Sequence, residues 1–141
     1  MRPIKYILIH DSVPADPLNE SHPSDVLNCG YHYIVNSKGL VFNAIDIHKP
    51  GAFLEGYDAC SIGIQYNGSL KNDYPLTTLN SSTDSKLSTI NSKLLTLLTL
   101  IVDLRSHFLD AKILGVSEIY GKDIRPSAEM NRLRRELSDE L

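Results

Sequence analysis

Residues 6–12 read Tyr-Ile-Leu-Ile-His-Asp-Ser (YILIHDS), an apolar run that meets a histidine and then two polar side chains. From Ile4 to Ile9 the alternation is imperfect and Ile, Leu and Tyr dominate, so the stretch reads as a strand buried on both faces, as interior strands of covered sheets are. His10 then stands at the strand's end, where it is either a metal ligand at the mouth of a site or a polar residue that follows a strand.

Working outward, residues 11–28 hold Pro14, Pro17 and Pro23 among Asp, Ser and Asn, the composition of a loop. Tyr31 to Val35, the turn Asn36-Ser-Lys-Gly39 and Leu40 to Ala44 form a hairpin signal, with glycine where a positive φ is needed. Ser61 to Tyr66 is a further strand, in which Gly63 marks close backbone approach. Residues 67–83 are polar and read as a surface loop. From Thr83 to Leu109 the residues Leu87, Ile90, Leu94, Leu97, Leu98, Ile101, Leu104 and Phe108 keep the spacing of an amphipathic helix, with Thr83 as N-cap and Lys86 in place of a capping-box acid. Ala111 to Val116 reads as the last strand, and Pro126 to Leu141 as a closing helix with the proline near its first turn. This order, β, loop, β-hairpin, β, α, β, α, predicts an α/β fold in one domain over residues 1–141, with a central mixed sheet of about five strands flanked by helices.

The 141 residues carry a net charge of −3, with 42% hydrophobic and 22% charged residues, enough for one core and too acidic for a nucleic-acid or anionic-lipid footprint. The basic cluster Arg132, Arg134 and Arg135 lies among Glu129, Glu136, Asp139 and Glu140 and reads as a solvated helix face. The longest apolar stretch, Leu94 to Val102, is about half of what spans a bilayer. Met-Arg-Pro-Ile-Lys-Tyr lacks a signal-peptide core, so the chain as given reads as cytoplasmic, with release through a non-classical or phage-lysis route left open. Cys29 and Cys60 sit in no CxxC and read as small buried hydrophobes.

Taken in order, "YILIHDS", "GYHYIVNSKGLVFNAI", "PGAFLEGYDACSIGIQYNG" and "ILGVSEIYGKDIRPS" resemble the zinc N-acetylmuramoyl-L-alanine amidase and peptidoglycan recognition protein superfamily, including bacteriophage-type amidases. The resemblance spans nearly the whole chain and implies the fold named above. It also implies hydrolysis of the amide between the muramic acid lactyl group and L-alanine of peptidoglycan. A catalytic zinc needs three protein ligands and an open position for water. The resemblance makes His10 the first ligand, Tyr31 the active-site tyrosine and Lys122 the late lysine.

The departures are as informative. The late Gly-His is Gly115-Val116, the Cys-Pro or Asp-Pro position falls on Arg125-Pro126, and the Pro-Gly-x-His segment is Pro50-Gly51-Ala52-Phe53. Valine offers no lone pair, and an arginine repels a metal. His32, next to Tyr31 on a strand, points to the opposite face and into the fold if Tyr31 lines the groove. His48 falls in a loop. Glu118, two residues after Val116, is the candidate replacement ligand and the expected partner of Arg125, with Asp123 as the other. The segment 11–30 is shorter than the superfamily's, and the chain has no tryptophan to help wall a groove. The reading is therefore an amidase-family domain that has lost zinc hydrolysis and at most binds peptidoglycan or muropeptide fragments near His10, Tyr31, Phe53, Glu118 and Arg125, with no cofactor. The alternatives are an active zinc amidase with a rearranged ligand set and a non-enzymatic module that binds a protein partner.

Overall fold

The structure, a computed structural model, describes residues 2–12, 30–73 and 92–137. Strand β1 (Tyr6–Ser12) is followed by β2 (Tyr33–Val35), β3 (Val41–Asn43), β4 (Ser61–Asn67), helix α1 (Ser92–His107), β5 (Lys112–Gly115), the short strands β6 (Ile119–Tyr120) and β7 (Asp123–Ile124), and helix α2 (Ala128–Glu136). The main sheet has five strands in the order β3-β2-β4-β1-β5, and β6 and β7 pair with each other in a separate two-stranded sheet. β2, β4, β1 and β5 are mutually parallel, and β3 turns back antiparallel on β2, so the sheet is mixed as the sequence predicts.

The apolar run of β1 is explained by its place between β4 and β5. Ile7 and Ile9 join the core that α1 covers with Leu94, Leu97, Ile101 and Leu104, while Leu8 faces the other way by strand alternation and is equally inaccessible. The predicted helix spacing therefore holds over the described part of α1. Thr83, Lys86, Leu87 and Ile90 lie outside the described residues, as do positions 13–28 of the predicted loop and Cys29. Of the predicted loop 67–83, Asn67 instead ends β4, where it pairs with Ser12, residues 70–73 form a helical turn whose Leu70 N–H is accepted by Asp11 Oδ2 at 3.1 Å, and 74–83 lie outside the described residues.

The hairpin forms where its turn residues place it. Asn36 Oδ1 accepts the N–H groups of Lys38 and Leu40, and Gly39 takes φ 82°. The strands and α1 begin or end within two residues of the sequence reading at several points, and two further differences have a clear physical cause. β1 continues past Ile9 through Ser12, because β4 supplies backbone partners as far as Ser12↔Asn67 and polarity alone does not end a paired strand. The closing helix starts at Ala128, with Ser127 as N-cap accepting the Met130 N–H, so Pro126 sits just ahead of the helix rather than in its first turn.

α2 is fixed to the sheet by a buried ion pair. Arg134 places Nη1 and Nη2 2.8 Å from the two carboxylate oxygens of Glu118, which also accept the N–H groups of Gly115 and Ser127. Neither side chain is more than 2% exposed. Burial works against the carboxylate's charge, but Arg134 and the two backbone donors outweigh it and hold Glu118 below its ordinary pKa of 4.5. Removing one partner strands the other without water. Arg134→Met is expected to lose about 3–5 kcal/mol of unfolding free energy in urea titrations. Because the paired carboxylate stabilises the fold only while ionised, the deficit narrows as pH falls through the carboxylate range.

Candidate functional site

β1 pairs with β4 along its full length, but its pairing with β5 ends at Ile9↔Gly115. His10 is the first residue of β1 with a strand on one side only, and it is half-buried. The open side follows from the sequence after β5, where Val116–Glu118 form a 3-10 turn that carries the chain away from the sheet.

Three rings line up beside this opening. The imidazole of His10 lies parallel to the ring of Tyr31 (centroids 5.8 Å apart, 8° between planes), and Tyr31 lies nearly parallel to Phe53 (5.1 Å, 22°). Such offset stacking is the favoured approach of aromatic faces. Phe53 fits a slot made by glycines. A Cβ at Gly63 would stand 2.6 Å from Phe53 Cε1, and one at Gly51 2.8 Å from its Cδ1. Gly30, at φ 83°, would carry a Cβ only 2.3 Å from the Ala52 carbonyl oxygen, so the chain entering the slot also demands glycine. Close approach at Gly63 is thus met by an aromatic side chain.

Behind the stack, His32 is fully buried. Its Nδ1 accepts the Gly63 N–H at 3.0 Å, and its Nε2–H donates to the Lys49 carbonyl at 2.7 Å. Arg2 reaches the same nitrogen at 3.0 Å and donates to the Ile47 carbonyl. Burial lowers the pKa of His32 below 6.5 and the Arg2 charge pushes the same way, while the Lys49 carbonyl pulls against them without prevailing. A proton on Nδ1 would also displace the Gly63 N–H.

His10, Tyr31 and Phe53 are thus brought together, and His32 is turned inward. The other site residues read from the sequence fall elsewhere. Glu118 is in the interior, with both oxygens engaged by Arg134 and two backbone N–H groups, and it neither joins the ring stack nor pairs with Arg125. Position 118 escaped strand alternation because the chain has left the strand by then. The Arg125 guanidinium lies over the Tyr120 ring at 4.7 Å, and only its backbone N–H touches Glu118, at the carbonyl. Lys122 is exposed on the β6–β7 turn, a different element from the stack. Cys60 is half-buried, with its thiol toward the Tyr57 carbonyl.

Sequence reasoning missed Gln65, whose Oε1 is 2.8 Å from His10 Nδ1 across the β1–β4 pairing. Its signal was present, since a glutamine in the apolar strand Ser-Ile-Gly-Ile-Gln-Tyr must find a polar partner. The short hairpin β6–β7 was missed as well, each of its strands being only two residues long.

No family model matches the chain. Peptidoglycan-recognition protein 2 of Holotrichia diomphalia is 25% identical over 89 residues, covering 53% of this chain and 48% of that protein. Peptidoglycan-recognition protein 1 of the same beetle matches at 25% over 88 residues, covering 52% and 45%. The chain therefore spans about half the length of the curated relatives it matches. Among solved structures, the endolysin N-acetylmuramoyl-L-alanine amidase LysCS of Clostridium intestinale URNW superposes with a TM-score of 0.69 at 13% identity, over 99% of this chain and 86% of that one. PGRP-SA of Apis mellifera superposes at 0.64 and 21% identity, over 100% and 87%. A Drosophila PGRP-LB variant solved in complex with tracheal cytotoxin superposes at 0.60 and 18%, over 93% and 82%. This is the fold of the amidases and peptidoglycan-recognition proteins. The resemblance carried by the four sequence stretches thus extends over the whole architecture.

Among proteins of this fold zinc is the expected cofactor. The described residues do not fit it. No three His, Cys, Asp or Glu side chains among them gather as a donor set. His10 supplies one imidazole, position 116 is a valine, the arginine at 125 is stacked on Tyr120, and Glu118 is consumed by Arg134. Nor is any helix among the described residues long and apolar enough to cross a membrane.

Two measurements check this geometry. Gly63→Ala must push the Phe53 ring aside, at a cost of about 1–3 kcal/mol. In a double-mutant cycle with Phe53→Ala the two losses add to clearly less than their sum, and simple additivity would mean that the ring does not sit on Gly63. The second concerns acid. Since folding lowers the His32 pKa, the unfolded chain binds the proton first, and stability present above pH 6.5 is lost as the pH falls below it. The unfolding free energy of His32→Gln, lower overall, is expected to change less than that of the parent across this interval.

Proposed function

We propose that this chain is a peptidoglycan-binding domain that takes a muropeptide against the His10–Tyr31–Phe53 stack and does not hydrolyse it through a bound zinc. The observation that carries this reading is the stack itself, three rings in line at the place where β1 loses its neighbour. A row of half-buried aromatic rings suits a ligand with apolar faces and polar edges, as a glycopeptide has. Neighbours of the same fold named for peptidoglycan recognition support the ligand class, and the one in complex with tracheal cytotoxin supports a soluble fragment as the ligand. The donor set supports the second half of the reading, because one imidazole falls short of the three ligands a catalytic zinc site uses.

Lys122 on the β6–β7 turn and Arg125 just after β7, in this reading, are cations offered to the carboxylates of a stem peptide, with Arg125 lying over the Tyr120 ring. Glu118 acts only by anchoring α2.

The test is binding of soluble muropeptide, followed by calorimetry in excess chelator. The expected result is saturable binding, weakened roughly tenfold by Tyr31→Ala and by Phe53→Ala, about the worth of one aromatic contact. Zinc retained near one ion per chain after purification without chelator, with lactyl-amide hydrolysis abolished in His10→Ala, would overturn the proposal in favour of an active amidase. Absence of muropeptide binding by a well-folded parent protein would leave the scaffold as a protein-interaction module.

A further inference from the structure

The pair His10–Gln65 carries an inference about what the groove asks of its ligand, and it rests on the reading of that groove as a binding site. The two residues face each other across the β1–β4 register, with Nδ1 of the imidazole 2.8 Å from the Gln65 amide oxygen. Gln65 is 5% exposed and turns its amide oxygen, not its amide nitrogen, toward the ring. An amide oxygen only accepts. The imidazole nitrogen facing it must therefore carry a hydrogen, and in an uncharged imidazole the other nitrogen is then a bare acceptor. Among the described residues none bonds that other nitrogen, Nε2. The parallel stack on Tyr31 holds the plane of the ring, and within that plane a half-turn about Cβ–Cγ would break the bond to Gln65.

From this geometry we infer that Gln65 is a positioning residue that fixes His10 as the Nδ1–H tautomer, and that the groove thereby recognises a hydrogen-bond donor on its ligand, an amide N–H or a sugar hydroxyl, at Nε2. A carboxylate at the same place would face a lone pair and be repelled. The selectivity differs in kind from that of the cations at the β6–β7 hairpin, which attract acids. A glycopeptide carries both groups, and a site with an acceptor on one element and cations on another orients it end to end. The histidine matched to a metal ligand in the sequence then keeps its lone pair and uses it to receive a proton donor.

The test reads the tautomer directly. Long-range proton–nitrogen correlation spectra of the full chain, with the His10 signals identified by their loss in His10→Gln, are expected to show the pyrrole-type nitrogen at Nδ1 under mildly alkaline conditions. Gln65→Glu keeps an acceptor and should preserve that pattern. Gln65→Leu should lose the Nδ1–H preference and bind muropeptide about tenfold less tightly, as loss of one hydrogen bond allows. A pattern with the hydrogen on Nε2 in the parent protein would overturn the inference even if muropeptide binds, and so would an unchanged pattern in a folded Gln65→Leu. Failure of the parent to bind muropeptide, with the Nδ1–H pattern intact, would instead count against the groove's assigned ligand and leave the tautomer assignment standing.

Discussion

Strand β1 pairs with β4 over seven residues and with β5 over only the part that ends at Ile9. That difference in length is the constraint on which the site depends. Below it β1 has a strand on either side and its Ile7, Leu8 and Ile9 are buried; above it, among the described residues, β1 has a strand on one side only, and polar side chains can stand there while their backbone stays paired with β4. In parallel sheets, ligand sites gather beyond the carboxyl ends of the strands for the same reason. β5 can stop at Gly115 because the chain leaving it is secured at once, by the Gly115 N–H on Glu118 and by Arg134 closing on the same carboxylate. Gly115 also lies against Met130, where a Cβ would stand 2.8 Å from Cγ, so α2 packs close only because residue 115 has no side chain. The buried ion pair thus serves the opening indirectly, by holding the turn that makes it.

The second support is at the same carboxyl end of the central strands, on the face that α1 covers. Tyr66 donates to Asp73 at 2.5 Å, Lys93 pairs with the same carboxylate at 3.2 Å, bonds the Asn67 carbonyl, and lies 4.6 Å over the Tyr66 ring. A tyrosine in the last turn of an apolar strand would leave a hydroxyl without water; here the helical turn after β4 and the start of α1 both come to it. These contacts tie α1 to the end of β4 and keep the sheet's far face covered.

Much of the fold was legible because its signals are local and periodic. The unbroken Ile and Leu of β1, the hairpin turn closed by Gly39, the three-to-four spacing of Leu94, Leu97, Ile101 and Leu104, and Gly63 each declare a backbone state or a buried face. The cluster His10, Tyr31 and Phe53 was also legible, although only the sequence order of the four motif stretches linked residues so far apart. What stayed hidden required knowledge of where the chain turns. Glu118 looked like a groove residue under strand alternation, and a single 3-10 turn reversed its direction. Arg134 looked like part of a solvated basic face, because nothing in Arg-Leu-Arg-Arg marks which guanidinium meets a carboxylate sixteen positions away. Gln65 could be recognised as needing a partner, but the partner itself is set by register across a strand pair separated by more than fifty residues of chain.

The slot that holds Phe53 has backbone walls at Gly51 and Gly63, with the Tyr31 and His32 rings completing it. Its width between those glycines is therefore written in the path of the main chain and is indifferent to which planar group fills it. For divergence within this architecture, that means the chemistry at position 53 can be exchanged in one substitution while the scaffold around it stays the same, so that a polar ring and a greasy one are neighbours in sequence space even where their biological uses are far apart.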